Sequence, residues 1–336
     1  MKSLRDEIPL AGLYLKYKYS TDETSTFVLF SFSLAKWKVL WYNKHKIKKE
    51  PRMKKRIYIE IGNICNLACS FCPSLRRERR QMTVEEFRRV MEEATPLASE
   101  IYLHLMGEPL LHPELDALLS VAEEFNVPVC VTTNGFLLSK RGEILFQHEK
   151  IIKKVNISLQ SYEANRVPVS LKVYLEGCIS FARVASENGI YSVFRLWNSD
   201  SESREGANTQ NDTILSTLKA NYPEEWQKRY SGFRIGRNTF LECAEIFEWP
   251  SESEAEASSE GHCHGLIDQI GILADGTVVP CCLDSEGAIA LGNVFTTPLR
   301  EILQTKRARE MERGLKCGIF TEPLCQSCTY ARRFSK

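Results

Sequence analysis

The sequence has little net charge and no long uninterrupted apolar segment. Its 336 residues include 44 Lys and Arg and 43 Asp and Glu, a formal net charge of +1. Such a balanced chain offers no electrostatic argument for binding nucleic acid, and we expect no nucleic acid partner. The apolar segment at residues 26–42 is interrupted by Lys36 and Lys38. It is also shorter than the roughly 20 residues of a spanning helix, so we expect no transmembrane segment.

The sequence also lacks a recognisable cleavable signal peptide, yet it contains twelve cysteines. Clustered cysteines in such a chain favour a metal framework in a reducing compartment over disulfides, and we expect a cytoplasmic protein. The basic run at residues 44–56 indicates either a peripheral arm that touches anionic lipid or an acidic peptide, or a solvated extension. A third interpretation is that natural translation starts at Met53. Because charge runs are usually solvated, we favour the second and third interpretations.

Strand and helix signals alternate along the middle of the chain. The predicted strands are residues 56–61, 101–106, 127–132, 155–159 and 190–196, with a sixth at 233–235 or 240–245. The predicted helices are residues 83–94, 113–125, 139–147, 171–188 and 299–313. Thr83 and Glu86 predict a capping box at the start of the first, and Gly189 predicts the end of the fourth. Residues 198–221 show little apolar periodicity, and Ala274-Asp275-Gly276 predicts a hairpin between two later strands. Repeated βα units imply parallel strands with right-handed crossovers, as in a barrel or an open sheet.

Three cysteines in one short loop carry the strongest chemical signal. Cys65, Cys69 and Cys72 form a C-x-x-x-C-x-x-C run just after the first predicted strand. A cubane iron–sulfur cluster has four irons, so three thiolates leave one iron open to a ligand that is not protein. The alternatives are half of a zinc site or three structural thiols. Zinc sites usually pair C-x-x-C with a second pair, so the spacing favours an iron–sulfur cluster.

This loop and several later motifs resemble those of the radical S-adenosylmethionine (SAM) enzymes. The cysteines match the family's C-x-x-x-C-x-φ-C, with an aromatic residue at the position next to adenine. Residues 105–110 (LMGEPL) are similar to the segment that receives the methionine amino group, with Met106 in place of the usual first glycine. Residues 132–135 (TTNG) and 156–160 (NISLQ) resemble the family's third-strand turn and fourth-strand segment. The resemblance implies SAM contacts from Phe71, Gly107, Glu108, Ser158, Gln160 and Arg195.

The resemblance also implies a fold and an activity. The fold is α/β, a partial (β/α)6 TIM-like barrel followed by a small C-terminal domain that binds an iron–sulfur cluster. The activity is reductive cleavage of SAM to a 5′-deoxyadenosyl radical, which abstracts hydrogen from a carbon of a peptide or small-molecule substrate. Dehydrogenation, crosslinking and epimerisation are the competing outcomes. A one-electron reductant such as flavodoxin or ferredoxin is the implied partner.

A second group of cysteines lies near the C-terminus. Cys263 is followed by twelve residues, the G-x-x-x-x-C of Gly276 and Cys281, and the C-x-x-C of Cys325 and Cys328. This pattern resembles the SPASM/twitch auxiliary domains. Because no cysteine follows Cys328, the resemblance implies one auxiliary 4Fe–4S cluster held by these four cysteines. A structural four-cysteine zinc site has the same ligand count.

The remaining cysteines and histidines have weaker signals. Cys282 and Cys317 are either reserve ligands or thiols that donate hydrogen to a substrate radical. His104 is expected to have a packing or capping role.

We divide the chain into a basic extension (1–52), a radical SAM core (53–250), a linker (251–260) and an auxiliary cluster domain (261–336). The rival interpretation, a zinc-stabilised module that binds nucleic acid or protein without SAM chemistry, leaves the strand-end motifs unexplained.

Overall fold

The computed structural model describes residues 54–165, 167–198, 208–245, 248–251 and 257–334. All of them belong to one unit. The predicted extension at 1–52, the alternative start at Met53 and half of the predicted linker lie outside these residues. The domain boundaries therefore stay a prediction.

Eleven strands within the described residues form one sheet. They are β1 (Lys55–Ile59), β2 (Ala98–Leu103), β3 (Val129–Thr133), β4 (Ile152–Ser158), β5 (Tyr191–Leu196), β6 (Gln227–Arg229), β7 (Gly232–Gly236), β8 (Thr239–Cys243), β9 (Gln269–Ile272), β10 (Thr277–Val279) and β11 (Gly292–Asn293). Their order is β11-β10-β9-β1-β2-β3-β4-β5-β8-β7-β6. The run from β9 to β8 is parallel, and the outer strands are antiparallel. The predicted α/β fold is confirmed, and β8 is the sixth parallel strand that follows β1–β5.

The helices differ from the prediction at three places and include a short one, Pro323–Gln326, that is also not predicted. They are α1 (Val84–Ala94), α2 (Leu115–Glu124), α3 (Leu138–Arg141), α4 (Glu143–Gln147), α5 (Leu171–Glu187), α6 (Asn211–Asn221), α7 (Leu299–Ile302), α8 (Lys306–Lys316) and α9 (Pro323–Gln326). The helix predicted at residues 139–147 is two helices with Gly142 between them. Helix α6 is not among the predicted helices, because only Ile214 and Leu218 are buried along it. The helix expected after Leu299 is likewise split into α7 and α8.

A pair of hydrogen bonds stabilises the start of α1. The predicted capping box is present at the start of α1, where Glu86 N donates to Thr83 Oγ1 over 3.2 Å and Thr83 N donates to Glu86 Oε2 over 2.9 Å. Together these bonds satisfy two backbone donors that the first turn leaves open.

Across the described ranges, no helix combines the length and the apolar character needed to cross a bilayer.

The two faces of the parallel sheet differ in character. Ile57 of β1 pairs with Ile101 of β2, and both are fully buried in the apolar core. One residue further along each strand, Tyr58 pairs with Tyr102, and their rings stack with centroids 4.7 Å apart. Because side chains alternate along a strand, the apolar set packs on the core while the tyrosines face a cavity.

The C-terminal residues continue the core sheet. Strand β9 pairs in parallel with β1, with Ile57 opposite Ile270. The predicted hairpin then joins β9 to β10 in antiparallel pairing, and Gly276 takes a positive φ of 84° in its turn. The segment that carries the predicted auxiliary site is therefore tied by backbone hydrogen bonds to the strand that leads into the first cysteine loop.

A buried ion pair reinforces this connection. The Glu60 carboxylate is fully buried and accepts two bonds from Arg77, of 3.0 and 2.8 Å, and one from Ala274 N of 3.1 Å. Arg77 Nε also donates to Ser285 O over 2.7 Å. Burial raises the pKa of Glu60, and its bonds to Arg77 oppose that effect. One carboxylate thus joins β1, the segment after the cysteine loop and the C-terminal residues.

We predict that Arg77→Met lowers the free energy of unfolding by about 3–5 kcal/mol, because it leaves a buried carboxylate without its cation. Urea unfolding followed by circular dichroism measures this change. Arg88→Met is the matched control, since Arg88 and Glu124 form a similar two-bond pair at the surface. Exposed pairs add little stability. Equal effects of the two substitutions would contradict the structural role of Arg77.

Candidate functional site

The carboxyl ends of the parallel strands surround a cavity of about 440 Å³. This volume lies within the range of small-molecule sites. All residues predicted to hold the first cluster and SAM line it: Cys65, Cys69, Cys72, Phe71, Gly107, Glu108, Ser158, Gln160 and Arg195. The structure therefore brings together residues from four separate segments of the sequence.

The first cysteine loop is fixed at both its base and its tip. At the base, Asn63 Nδ2 donates to Glu78 O over 2.8 Å, and Arg80 N donates to Asn63 Oδ1 over 2.9 Å. At the tip, Cys72 N donates to Cys69 O over 3.0 Å. These bonds close a compact loop whose three cysteines line the cavity.

Asn165, which sequence reasoning missed, contacts this loop directly. Its Nδ2 donates to Cys69 Sγ over 3.1 Å and to Ser161 O over 2.7 Å, while its Oδ1 accepts from Ala68 N over 2.9 Å. Hydrogen bonds from the Cys72 thiol and from Asn165 lower the pKa of Cys69. The amide therefore favours the thiolate form, which is the form that binds iron.

Glu108 uses its carboxylate to organise backbone. Its two oxygens accept from Leu110 N at 3.0 Å and Asn134 N at 2.8 Å. Burial raises its pKa to about 7. Asn134 in turn places its Nδ2 2.9 Å from Asn66 Oδ1 and 3.8 Å from Cys65 Sγ. The turn after β3 is thereby held against the cysteine loop.

Gly107 lies directly on the backbone before Cys65. Its φ is 78°, and a Cβ atom there would come within 2.3 Å of Gly62 O. The next residue extends the contact, since Glu108 N donates to Ile64 O over 3.0 Å. Met106, where the family has glycine, packs with Leu105, Leu273 and Val279 in a small apolar cluster. The close approach of this backbone to Gly62 therefore requires glycine at position 107.

The far wall of the cavity carries polar atoms without partners. Asn156 Oδ1 and Gln160 Oε1 are buried and have no hydrogen-bond partner among the described residues. Asn156 is fully buried and Gln160 is 8% exposed. A buried acceptor without a donor costs free energy, so these oxygens indicate a bound ligand that supplies N–H or O–H groups. Ser158 lies between them at the end of β4.

Arg195 already has protein partners. Its Nε donates to Glu242 Oε2 over 3.2 Å, and its guanidinium lies 4.5 Å from the centre of the Trp197 ring. A second arginine on the cavity wall, Arg56, pairs with Asp268 at 3.2 Å. Burial lowers the pKa of nearby His104 to about 4, so its imidazole is neutral at pH 7. The wall beside these pairs is therefore close to neutral.

The four C-terminal cysteines meet in a second, smaller pocket. Its walls include Cys263, Cys281, Cys325 and Cys328. Burial raises the pKa of Cys263, Cys281 and Cys325, so bound metal has to displace their protons. Within the described ranges, no group of three or more His, Cys, Asp or Glu side chains is arranged around a single metal ion. In a cubane, each thiolate binds a different iron.

The two pockets adjoin, and two neighbouring cysteines lie on different sides of their boundary. The pockets share part of their walls: His264, Gln269, Leu283, Tyr330 and Phe334. Cys281 lines the smaller pocket, whereas Cys282 lines the large cavity. The spacing of the cysteines alone does not distinguish these two adjacent thiols by the pocket that they face.

A parallel-rich sheet whose strand ends carry a three-cysteine loop, beside a four-cysteine pocket, defines a class of cluster-dependent proteins. The sequence model of the radical SAM superfamily matches residues 59–201. The model of an iron–sulfur cluster-binding domain, SPASM, matches residues 263–329. The GTP 3′,8-cyclase of Microcystis aeruginosa is 32% identical over 335 residues, covering 80% of this chain and 98% of that protein. The chain belongs to the radical SAM superfamily and carries a SPASM domain.

Other relatives match over shorter segments. The SAM-dependent 2-deoxy-scyllo-inosamine dehydrogenase of Niallia circulans is 33% identical, covering 26% of this chain and 39% of that enzyme. The probable GTP 3′,8-cyclase of Methanocella arvoryzae is 34% identical, covering 32% of this chain. That alignment spans 35% of the Methanocella protein. Each of these two alignments spans less than half of the relative's length.

Solved structures share the fold at low sequence identity. BtrN in complex with AdoMet and 2-DOIA has a TM-score of 0.54 at 19% identity, covering 83% of this chain and 94% of that one. Streptococcus suis SuiB bound to SAM has a TM-score of 0.56 at 19% identity, covering 88% and 75%. Family membership implies a SAM-binding 4Fe–4S cluster and auxiliary cluster chemistry, and the thiol sets and unpartnered oxygens described above fit these groups.

We predict that Gly107→Ala sharply reduces the iron content and SAM binding of the anaerobically reconstituted protein, because the added Cβ pushes on the cysteine loop at Gly62. Gly189→Ala is the matched control, since Gly189 has a φ of 76° but no atom lies within 4 Å of the position that its Cβ would take. Both variants carry a left-handed strain of about 1–2 kcal/mol. Equal iron loss in both would show that strain, and not the contact with the loop, is responsible.

We predict that Asn165→Ala makes the midpoint potential of the first cluster more negative. Hydrogen bonds to cluster sulfurs stabilise the reduced state, and this substitution removes the one to Cys69. A redox titration followed by electron paramagnetic resonance measures the shift. Asn188→Ala serves as the control, because that side-chain amide donates to Val184 O of its own helix, away from the cavity. An unchanged midpoint potential in Asn165→Ala would show that Asn165 does not donate a hydrogen bond to a cluster ligand.

Proposed function

We propose that this chain is a radical SAM enzyme that reductively cleaves SAM and removes hydrogen from a carbon of a peptide or small-molecule substrate. One observation carries the proposal: a single cavity holds the three-cysteine loop, the predicted SAM contacts and buried acceptors that lack donors among the described residues. The chemistry that a bound cluster supplies is one-electron cleavage of a sulfonium C–S bond followed by hydrogen abstraction. The protein supplies position, hydrogen bonds and exclusion of water.

Each part of the cavity has a proposed task. Cys65, Cys69 and Cys72 hold the cluster. Because the Glu108 carboxylate is occupied by two backbone amides, we assign contact with the SAM amino group to the backbone of the Gly107–Glu108 segment. Phe71 is assigned to the adenine ring, and the oxygens of the far wall accept hydrogen bonds from SAM. Arg195, held by Glu242 and Trp197, is the proposed partner of the SAM carboxylate.

We assign the second pocket to one auxiliary 4Fe–4S cluster with four protein thiolates. A site with four thiolates leaves no iron open to substrate, so its proposed role is electron transfer. A one-electron donor such as a flavodoxin or ferredoxin is the proposed partner. The second pocket shares part of its wall with the large cavity, so the auxiliary cluster lies next to the proposed substrate site.

The charge of the cavity bears on the substrate. Relatives include enzymes named for GTP and for an amino cyclitol. A triphosphate needs several cations, whereas the described lining of this cavity contains two arginines and no lysine. Both arginines are paired with carboxylates, and Arg195 is already assigned to SAM. Aromatic rings from Tyr58, Trp197 and Tyr330 cover much of the remaining wall. These observations favour a substrate without a polyphosphate group.

The test is anaerobic reconstitution followed by metal and product analysis. We expect about eight irons per chain, four for each cluster, and 5′-deoxyadenosine formed from SAM after reduction. Cys65→Ala should lose about half of the iron and all SAM cleavage, whereas Cys325→Ala should lose the other half of the iron. Zinc in place of iron at both cysteine sets, without SAM cleavage, would refute the proposal.

A further inference from the structure

The large cavity contains a cysteine that the proposed clusters do not use. Cys282 lies on its wall with the SAM-binding residues, while its neighbour Cys281 faces the auxiliary pocket. Because the chain places consecutive cysteines against different pockets, Cys282 is directed away from the four auxiliary thiols. The reserve-ligand interpretation requires the opposite orientation.

The surroundings of Cys282 belong to the substrate side of the cavity. Tyr58, Arg56 and Arg195 line the same cavity as Cys282. Burial raises the pKa of the Cys282 thiol, and these three residues partly oppose that effect. Tyr58 stacks on Tyr102, so this part of the wall is aromatic. Independently, the unpartnered oxygens of Asn156 and Gln160 on the same cavity indicate that a ligand with donor groups occupies it.

We propose that Cys282 is a catalytic residue that returns a hydrogen atom to the substrate radical. This inference rests on the proposed function and selects one outcome within it. The S–H bond of Cys282 breaks and a substrate C–H bond forms, leaving a thiyl radical. One electron and one proton then restore the thiol. The electron comes from the low-potential flavin or iron–sulfur donor that also starts the reaction, and the proton comes from solvent.

The consequence is a reaction without net oxidation of the substrate. Hydrogen is removed from a carbon by the SAM-derived radical and replaced by hydrogen from Cys282. If replacement occurs on the other face, the result is an inverted carbon centre. The position of Cys282 beside Cys281 also places its thiyl radical one residue from a proposed ligand of the auxiliary cluster, which gives the restoring electron a short route.

The test needs no identified substrate, because SAM itself is the probe. In D2O, the thiol of a cavity cysteine exchanges to S–D. Without substrate, the radical formed from SAM takes hydrogen from a nearby weak bond, and a thiol S–H bond is weaker than the C–H bond that forms. We expect the reconstituted enzyme, reduced with dithionite without added thiols, to give largely monodeuterated 5′-deoxyadenosine, measured by mass spectrometry.

Cys282→Ala and Cys282→Ser should lose most of this deuterium while keeping the iron content of the unaltered enzyme. The serine variant retains the polar shape, but its O–H bond is too strong to donate. Cys317→Ala is the matched control and should keep the deuterium, since Cys317 is not among the described residues that line either pocket.

Three results would overturn the inference, and they differ from one another. Deuterium that persists in both Cys282 variants would show that another group donates. Loss of auxiliary iron in these variants would show that Cys282 is a ligand. Absence of 5′-deoxyadenosine from the unaltered enzyme would refute the proposed function and the inference together.

Discussion

The pairing of β1 on both of its edges is the constraint on which the site depends. One edge binds β2 of the core and the other binds β9 of the C-terminal residues. Just beyond the strand, Glu60 extends this connection to Arg77 and Ala274. Because backbone pairing fixes register, the loop with the first three cysteines and the segment with the auxiliary cysteines cannot move independently. The adjoining pockets follow from this arrangement.

The cavity combines two kinds of polar group. Glu108 and Asn134 use their hydrogen bonds on neighbouring loops and hold those loops in place. Asn156 and Gln160 keep oxygens that no described residue satisfies. The groups with protein partners hold the cavity walls in place, and the unpartnered oxygens are available to a ligand. This division is expected of a site that binds its cofactor in one orientation.

Local signals made part of this structure predictable. The capping box of α1, the glycine turn after α5 and the alternating strands depend on neighbouring residues, so spacing alone identified them. Asn165 as a contact of the cysteine loop and helix α6 were not predicted from the sequence, and each has a physical reason. Asn165 bonds to a sulfur 96 residues away and belongs to no local pattern. Helix α6 buries two side chains, too few to show a period.

Residue spacing predicts which thiols are available to each proposed cluster, because cysteines that share a loop are close neighbours in the chain. The βα alternation is readable in the same way, through the periods of strand and helix. The pocket that each thiol faces depends instead on contacts between distant segments. Cys281 and Cys282 are adjacent and chemically identical, and the packing of the C-terminal segment against β1 turns one towards the smaller pocket and the other towards the large cavity.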